Sequence, residues 1–432
     1  MQYLHFDEAK QAALQALQQW LAGADGIERA LLVRDLFGRF RLALWGADKV
    51  NGQALTDTLA QACGSWWSGE IEWMHRADEV TRRLYDEVAA QAQPAAGAPR
   101  LLVLERHRTR TGWFADEDAP LWAAPESGPP VVVFYSFKGG LGRSTCLAAF
   151  AIQRARTGER VVVLDLDLDS PGIGRVLAAD PQGLTSSWGV VDFLVEQAPA
   201  EAPLADYYHR CDRVAGSGEL IVFPAGRVDE AYADKLARVD MEGAETAAKS
   251  ALGMLLARVR GELKPQWILL DARTGLSDSA GRLLSGFAHL HVLLGTTQDQ
   301  SWQGLNRVLD RLGKDRVERG LPQHEVVLVQ AMVPVGAEAG RLARQAFAAR
   351  AEREFVDRYY ASEDLDGESA DSLWTVGDLE GRSAPHVPVP IDYEQKLADF
   401  ADIADVAELL CGGPYAELGV RIAERCATEA DT

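Results

Sequence analysis

The 432-residue sequence has little cysteine, and none of it is spaced for ligation: Cys63, Cys146, Cys211, Cys411 and Cys426 are scattered with no CxxC pair. That spacing argues against structural zinc and iron–sulfur clusters and fits a reducing, cytoplasmic compartment. No apolar run approaches the roughly 20 residues of a membrane-spanning helix. The opening stretch, MQYLHFDEAK, lacks the basic segment and apolar core of a secretory signal, so a soluble protein without membrane attachment is expected. Long runs of Lys or Arg are missing as well. Sixty-four acidic residues against 44 basic ones give a formal charge of −20 and a pI near 4.9. Such a surface repels nucleic-acid phosphates and anionic lipid, and neither is an expected partner. There is no internal repeat, no GxSxG, no HExxH and no Cys/His nucleophile pair. His289 and His291 alternate in HLHVLL with no third ligand, which reads as strand rather than metal site.

What is present is a chain with 47% hydrophobic residues, enough for a sizeable core and long enough for two domains. Residues 1–112 read as a small α+β domain of unassigned role. FDEAKQAALQALQQWLAG has helical spacing, ERALLVRD and RFRLALWG flank LFG as a β-hairpin, and ALTDTLAQAC is helical. A short strand at GEIEWMHR and the helix ADEVTRRLYDEVAAQA follow. QPAAGAP then reads as a break before a last strand, LLVLERHRTRTG. Trp45, Trp66, Trp67 and Trp73 are read as core or partner-contact residues, and 113–130 as a linker.

From residue 131 to the end the pattern changes. VVVFYS, RVVVLDLD, LIVFPAG, WILLDA, LHVLLGTT and EVVLVQAMV are apolar, β-branched runs alternating with helical stretches. They predict an α/β fold, a doubly wound and mostly parallel sheet, with ligands beyond the carboxyl ends of its strands. Between the first strand and the helix TCLAAFAIQRA lies KGGLGRS. Gly139, Gly140 and Gly142 allow backbone N–H groups to curl around phosphates at a helix N-terminus, and Ser144 can offer its hydroxyl to Mg²⁺.

KGGLGRST resembles the deviant Walker A motif, KGGxGK(S/T), of the ParA/MinD class of P-loop ATPases. It is more narrowly similar to the variant branch KGGVGR, with arginine at the lysine position. The likeness runs over roughly residues 130–410. It implies ATP and Mg²⁺ as cofactors, a P-loop from Gly139 through Leu141 to Thr145, and an in-trans role for Lys138 in a homodimer. It places phosphate contact on Arg143 and the metal hydroxyl on Ser144. The DxD of RVVVLDLDLD falls on Asp165, which would support the metal, and Asp167, which would orient the attacking water; Asp169 is left unassigned. In WILLDARTG, Asp271 would hold Mg²⁺ through water and Gly275 would sense the γ-phosphate. Adenine contacts fall around Gln330 to Pro334, and HVPVPIDYEQKLADF resembles the strand and last helix of the class.

The reading is an ATP-dependent dimerisation switch. Arginine keeps the charge and grips phosphate bidentately, but its bulk misplaces charge for phosphoryl transfer, so slow hydrolysis is expected. The amino-terminal domain would carry the state to a protein partner, in a system such as bacterial signalling or defence. Two alternatives stay open: an ATP-holding scaffold without turnover, and a phosphotransferase. The tail has only Tyr415 rather than a tyrosine cluster, which ranks a tyrosine kinase low. Its acidic helices are unlike a basic membrane tether.

Overall fold

The computed structural model describes residues 6–46, 52–106, 113, 120–124, 127–196, 202–239, 247–362 and 373–427. The chain divides into two compact units, Met1–Thr109 and Arg110–Thr432.

In the first unit α1 (Phe6–Ala22) leads into β1 (Ile27–Arg34) and β2 (Phe40–Gly46), an antiparallel pair. The Asp35 carboxylate accepts the Phe37 and Arg39 N–H groups and so closes the turn between them. There follow α2 (Gly52–Cys63), β3 (Trp67–Trp73), α3 (Glu79–Ala89), β4 (Gln93–Ala95) and β5 (Ala98–Glu105). The sheet order is β3-β2-β1-β5-β4. QPAAGAP, expected as a break, is instead the hairpin of β4 and β5, with Gly97 at φ 71° supplying the turn. Strand alternation puts β1 between two cores. Ala30 and Leu32 meet Leu17, Leu42 and Leu59 on one face, while Leu31 and Val33 meet Met74 and Val88 on the other. Trp67 is buried, and Trp45 lies under the Arg29 guanidinium.

The second unit is built on β6 (Val131–Ser136), β7 (Arg160–Leu166), β8 (His209–Arg210), β9 (Glu219–Phe223), β10 (Trp267–Ala272), β11 (Leu290–Gly295), β12 (Glu325–Val333) and β13 (Val389–Asp392). They form one sheet in the order β13-β12-β11-β6-β10-β7-β9-β8, parallel except for β8. This is the expected α/β fold, a doubly wound and mostly parallel sheet. Every residue of β6, β10 and β11 is buried, because helices cover both faces. On one face α4 (Arg143–Arg156) and the helices Ile403–Leu410 and Gly413–Cys426 pack with Phe134, Leu269 and Val292. On the other, the helices Ala251–Arg258, Asp299–Leu312 and Ala337–Arg358 pack with Val133, Leu270 and Leu293. Burying each such Leu or Val contributes about 1.5–3 kcal/mol.

Part of the expected linker (114–119 and 125–126) lies outside the described residues. Trp122, within that span, is buried in the core of the second unit and donates its indole N–H to the Pro129 carbonyl. His289 and His291 are tied into the sheet. His289 Nδ1 accepts the Val131 N–H at 2.9 Å, and the His291 ring nitrogens face the Leu284 and Glu325 carbonyls. Burial holds His291 neutral, its pKa down at about 4.

Candidate functional site

β10 lies between β6 and β7 although it comes much later in the chain. Its register sets Asp271 beside Phe134 on one side and Asp165 on the other. The glycine-rich loop that leaves β6 therefore opens over carboxylates from two neighbouring strand ends. This is the position where parallel sheets bind ligands.

The loop runs from Phe137 to Gly142. The Ser136 hydroxyl donates to the Lys138 carbonyl at 2.9 Å and holds its start. Gly140 and Gly142 take φ values of 76° and 83°, which only glycine adopts without strain. A Cβ at Gly139 or Gly140 would meet nothing within 4 Å, so the backbone is open on that side. Gly142 caps α4 without a side chain, leaving the first-turn N–H groups to a ligand. This concave run of donors with its positive helix end is suited to phosphate.

Beneath it, Asp165, Asp167, Asp271 and Arg143 are all buried. Arg143 Nε donates to Asp271 Oδ1 at 2.5 Å, and Nη2 donates to Asp167 Oδ2 at 2.8 Å. The Ser144 hydroxyl donates to the second Asp271 oxygen at 2.6 Å. Asp165 Oδ2 accepts N–H groups from Gly172 and Gly174 at 3.1 and 3.3 Å. Burial, reinforced by the charge of Asp271, raises the Asp165 pKa to about 8. Burial also raises Asp271, although Arg143 and Ser144 pull it back. Burial disfavours the Arg143 charge, but Asp271 and Asp167 outweigh it and hold its pKa above the ordinary value.

Three polar atoms in this cluster are buried without a hydrogen-bond partner: Arg143 Nη1, Asp165 Oδ1 and Asp167 Oδ1. Two carboxylates, Asp167 and Asp271, hold the one guanidinium, Asp165 lies beside Asp271, and unpartnered buried groups of both signs are costly. The chemistry suits phosphate oxygens for Nη1 and a hard divalent cation for the carboxylates. Ser144 and Asp271 are the residues that would hold Mg²⁺, a cation that takes one or two protein ligands and shares phosphate oxygens.

Lys138 reaches Gln298, its Nζ 2.9 Å from Oε1. Gln298 precedes the helix Asp299–Leu312, and nothing local in TTQDQ marks it as a partner of the loop. Gly275, at φ 73°, is fixed by its carbonyl accepting the Tyr135 hydroxyl at 3.0 Å. Asp169 pairs with Arg273, tying the loop after β7 to the loop after β10. Gln330 is buried on β12, its amide donating to the Ala343 carbonyl at 3.0 Å, while Pro334 is exposed beyond the strand end. The structure thus brings Arg143, Ser144, Asp165, Asp167 and Asp271 together and leaves Gln330 and Pro334 apart from them. Among the described residues, no group of three or more His, Cys, Asp or Glu side chains could hold a metal ion by itself. Among them, too, no helix is long and apolar enough to cross a membrane.

No family model matches the chain. The chain is 34% identical over 96 residues to the cytosolic Fe-S cluster assembly factor cfd1 of Neurospora crassa, a match over 22% of this chain and 28% of that protein. It is 44% identical over 50 residues to a cytosolic Fe-S cluster assembly factor NUBP2 homolog of Trichoplax adhaerens, over 12% and 19% of the two chains. The chain thus spans less than a third of the length of these curated relatives. Among solved structures, pNOB8 ParA bound to nonspecific DNA is similar at TM-score 0.43 and 16% identity, covering 70% of this chain and all of that one. The septum site-determining protein MinD with Mg-ADP, from Pyrococcus horikoshii, is similar at TM-score 0.42 and 16% identity, covering 70% and 97%.

Proposed function

We propose that the protein is an ATP-binding, slowly hydrolysing switch that closes into a homodimer around ATP and Mg²⁺ and passes its state to a protein partner in the cytoplasm. The observation that carries this reading is the cluster under the loop. An open run of backbone donors stands over a buried guanidinium with one free nitrogen and two carboxylate oxygens without partners. A merely structural turn would not leave such groups unsatisfied.

In this reading the Gly139–Thr145 backbone and the N-terminus of α4 hold the β- and γ-phosphates. Arg143 turns its fork onto phosphate oxygens, and Asp167, once released from Arg143, orients the attacking water. Ser144 and Asp271 would hold Mg²⁺, which would supply neutralisation of phosphate charge. Gly275 lies on the loop after β10, where it can respond to the terminal phosphate. Lys138 leaves Gln298 to reach the nucleotide of the second subunit. The unit 1–109 would contact the partner.

The Arg143–Asp167 pair favours one second reading, in which the water-orienting carboxylate stays engaged and ATP is held without turnover. Conversion of ATP to ADP with Mg²⁺, beside an Asp271→Ala control whose folding is checked by circular dichroism, separates the two. Turnover lost in the folded control supports the switch. Bound ATP without turnover supports the holder. Absence of ATP binding would sink both.

A further inference from the structure

Ser144 and Asp271, the two residues that would hold a divalent cation at the loop, are already engaged with one another and with Arg143. Asp271 receives Arg143 Nε on one oxygen and the Ser144 hydroxyl on the other, at 2.5 and 2.6 Å. Asp167 receives Arg143 Nη2 at 2.8 Å. The guanidinium bridges a carboxylate just after β7 and one at the end of β10, where an external cation would have to sit. Two cations cannot share those carboxylates at this spacing without strong repulsion in a buried site.

Resting on the ATP–Mg²⁺ reading above, we propose that Arg143 is a resident counter-ion that excludes the divalent cation until nucleotide arrives. Phosphate binds first, engaging Arg143 Nη1, the nitrogen left without a partner. The guanidinium then exchanges carboxylate oxygens for phosphate oxygens, two partners that match its planar fork equally well. Only that exchange frees Asp271 and Ser144 to hold the cation. Arginine at this position has a definite physical consequence: its fork spans two carboxylates, whereas a lysine ammonium is a point charge. Burial of Arg143 and Asp271 keeps water from making the same exchange. The site therefore couples cation and nucleotide obligatorily, and Arg143 swings between two sets of oxygens as the state changes.

The test uses Mn²⁺ as the probe, followed by the loss of its free electron paramagnetic resonance signal and by thermal unfolding of the full chain. The wild type should bind ADP in the presence of EDTA, bind no Mn²⁺ alone, and bind Mn²⁺ once ADP is present. Arg143→Met, which keeps length and removes charge, should bind Mn²⁺ without nucleotide at least about tenfold more tightly than the wild type, within the ordinary range of coupling between sites. Mn²⁺ should raise the variant's melting temperature and leave that of the wild type unmoved. If Arg143→Met does not fold, Arg143→Lys carries the same comparison with a smaller gain. Mn²⁺ binding to the wild type alone as tightly as with ADP, or no gain in either variant, overturns the proposal. Failure of ADP to bind would defeat the ATP reading, while the comparison of Mn²⁺ alone on wild type and variant would still decide the role of Arg143.

Discussion

Phe137, the first residue of the phosphate loop, packs its ring against the bare α-carbon of Gly304 on the helix Asp299–Leu312. A Cβ at Gly304 would lie 1.9 Å from Cγ of that ring. The loop is therefore positioned from outside itself, by a glycine more than 150 residues away in sequence.

Gly304→Ala should push Phe137 aside and move Lys138 and Gly139 with it. The overpacking should cost about 1–3 kcal/mol of stability, and ATP affinity should fall further than that loss of folded protein explains. Nucleotide titration beside thermal unfolding measures both. Adding Phe137→Ala to Gly304→Ala should restore stability, because the clash then has no partner. Recovery in neither property would show that the contact does not position the loop.

Asp165 predicts a pH dependence of the ligand-free protein. Its pKa is near 8 when folded, raised by burial and then by Asp271, against an ordinary value of 3.8. Between those values the folded chain holds a proton that the unfolded chain has lost. Its stabilising contribution is complete below the unfolded value and is lost as pH rises through the folded one. The melting temperature should fall from pH 6 to pH 9, and Asp165→Asn should flatten that slope, since Asn can still accept from Gly172 and Gly174. A variant slope equal to that of the wild type would place the titration elsewhere.

Lys138→Ala should abolish ATP-induced dimerisation, read by analytical ultracentrifugation, while binding of ATP to the monomer changes little. Among the described residues the Lys138 ammonium is held by Gln298, and an exposed contact of this kind contributes no more than about 1 kcal/mol. Gln298→Ala should accordingly leave stability unchanged and make dimerisation easier. Unaltered dimerisation in Lys138→Ala would refute the in-trans role.

Much of this was legible in the residues themselves. Buried parallel strands need unbroken β-branched runs, so VVVFYS, WILLDA and LHVLLG announce β6, β10 and β11 without further information. KGGLGRS marks its own loop, because positive φ at Gly140 and Gly142 is a local requirement that a local sequence can state. Ser144 is marked by the glycine-rich motif and Asp165 and Asp271 by the family resemblance, and the structure sets them at a helix start and at strand ends. Proline and glycine in QPAAGAP suggested a break, whereas pairing with β5 turned it into a hairpin. Pairing is a property of two segments and cannot be read from one. The direction of Arg143 was likewise decided only in three dimensions. The insertion of β10 between β6 and β7 brings Asp271 within reach of its fork, and burial leaves the guanidinium no water to turn to. The Gln298 and Gly304 contacts belong to the same class. Long-range packing chose them, and side chains of their type carry no signal of where the chain will place them.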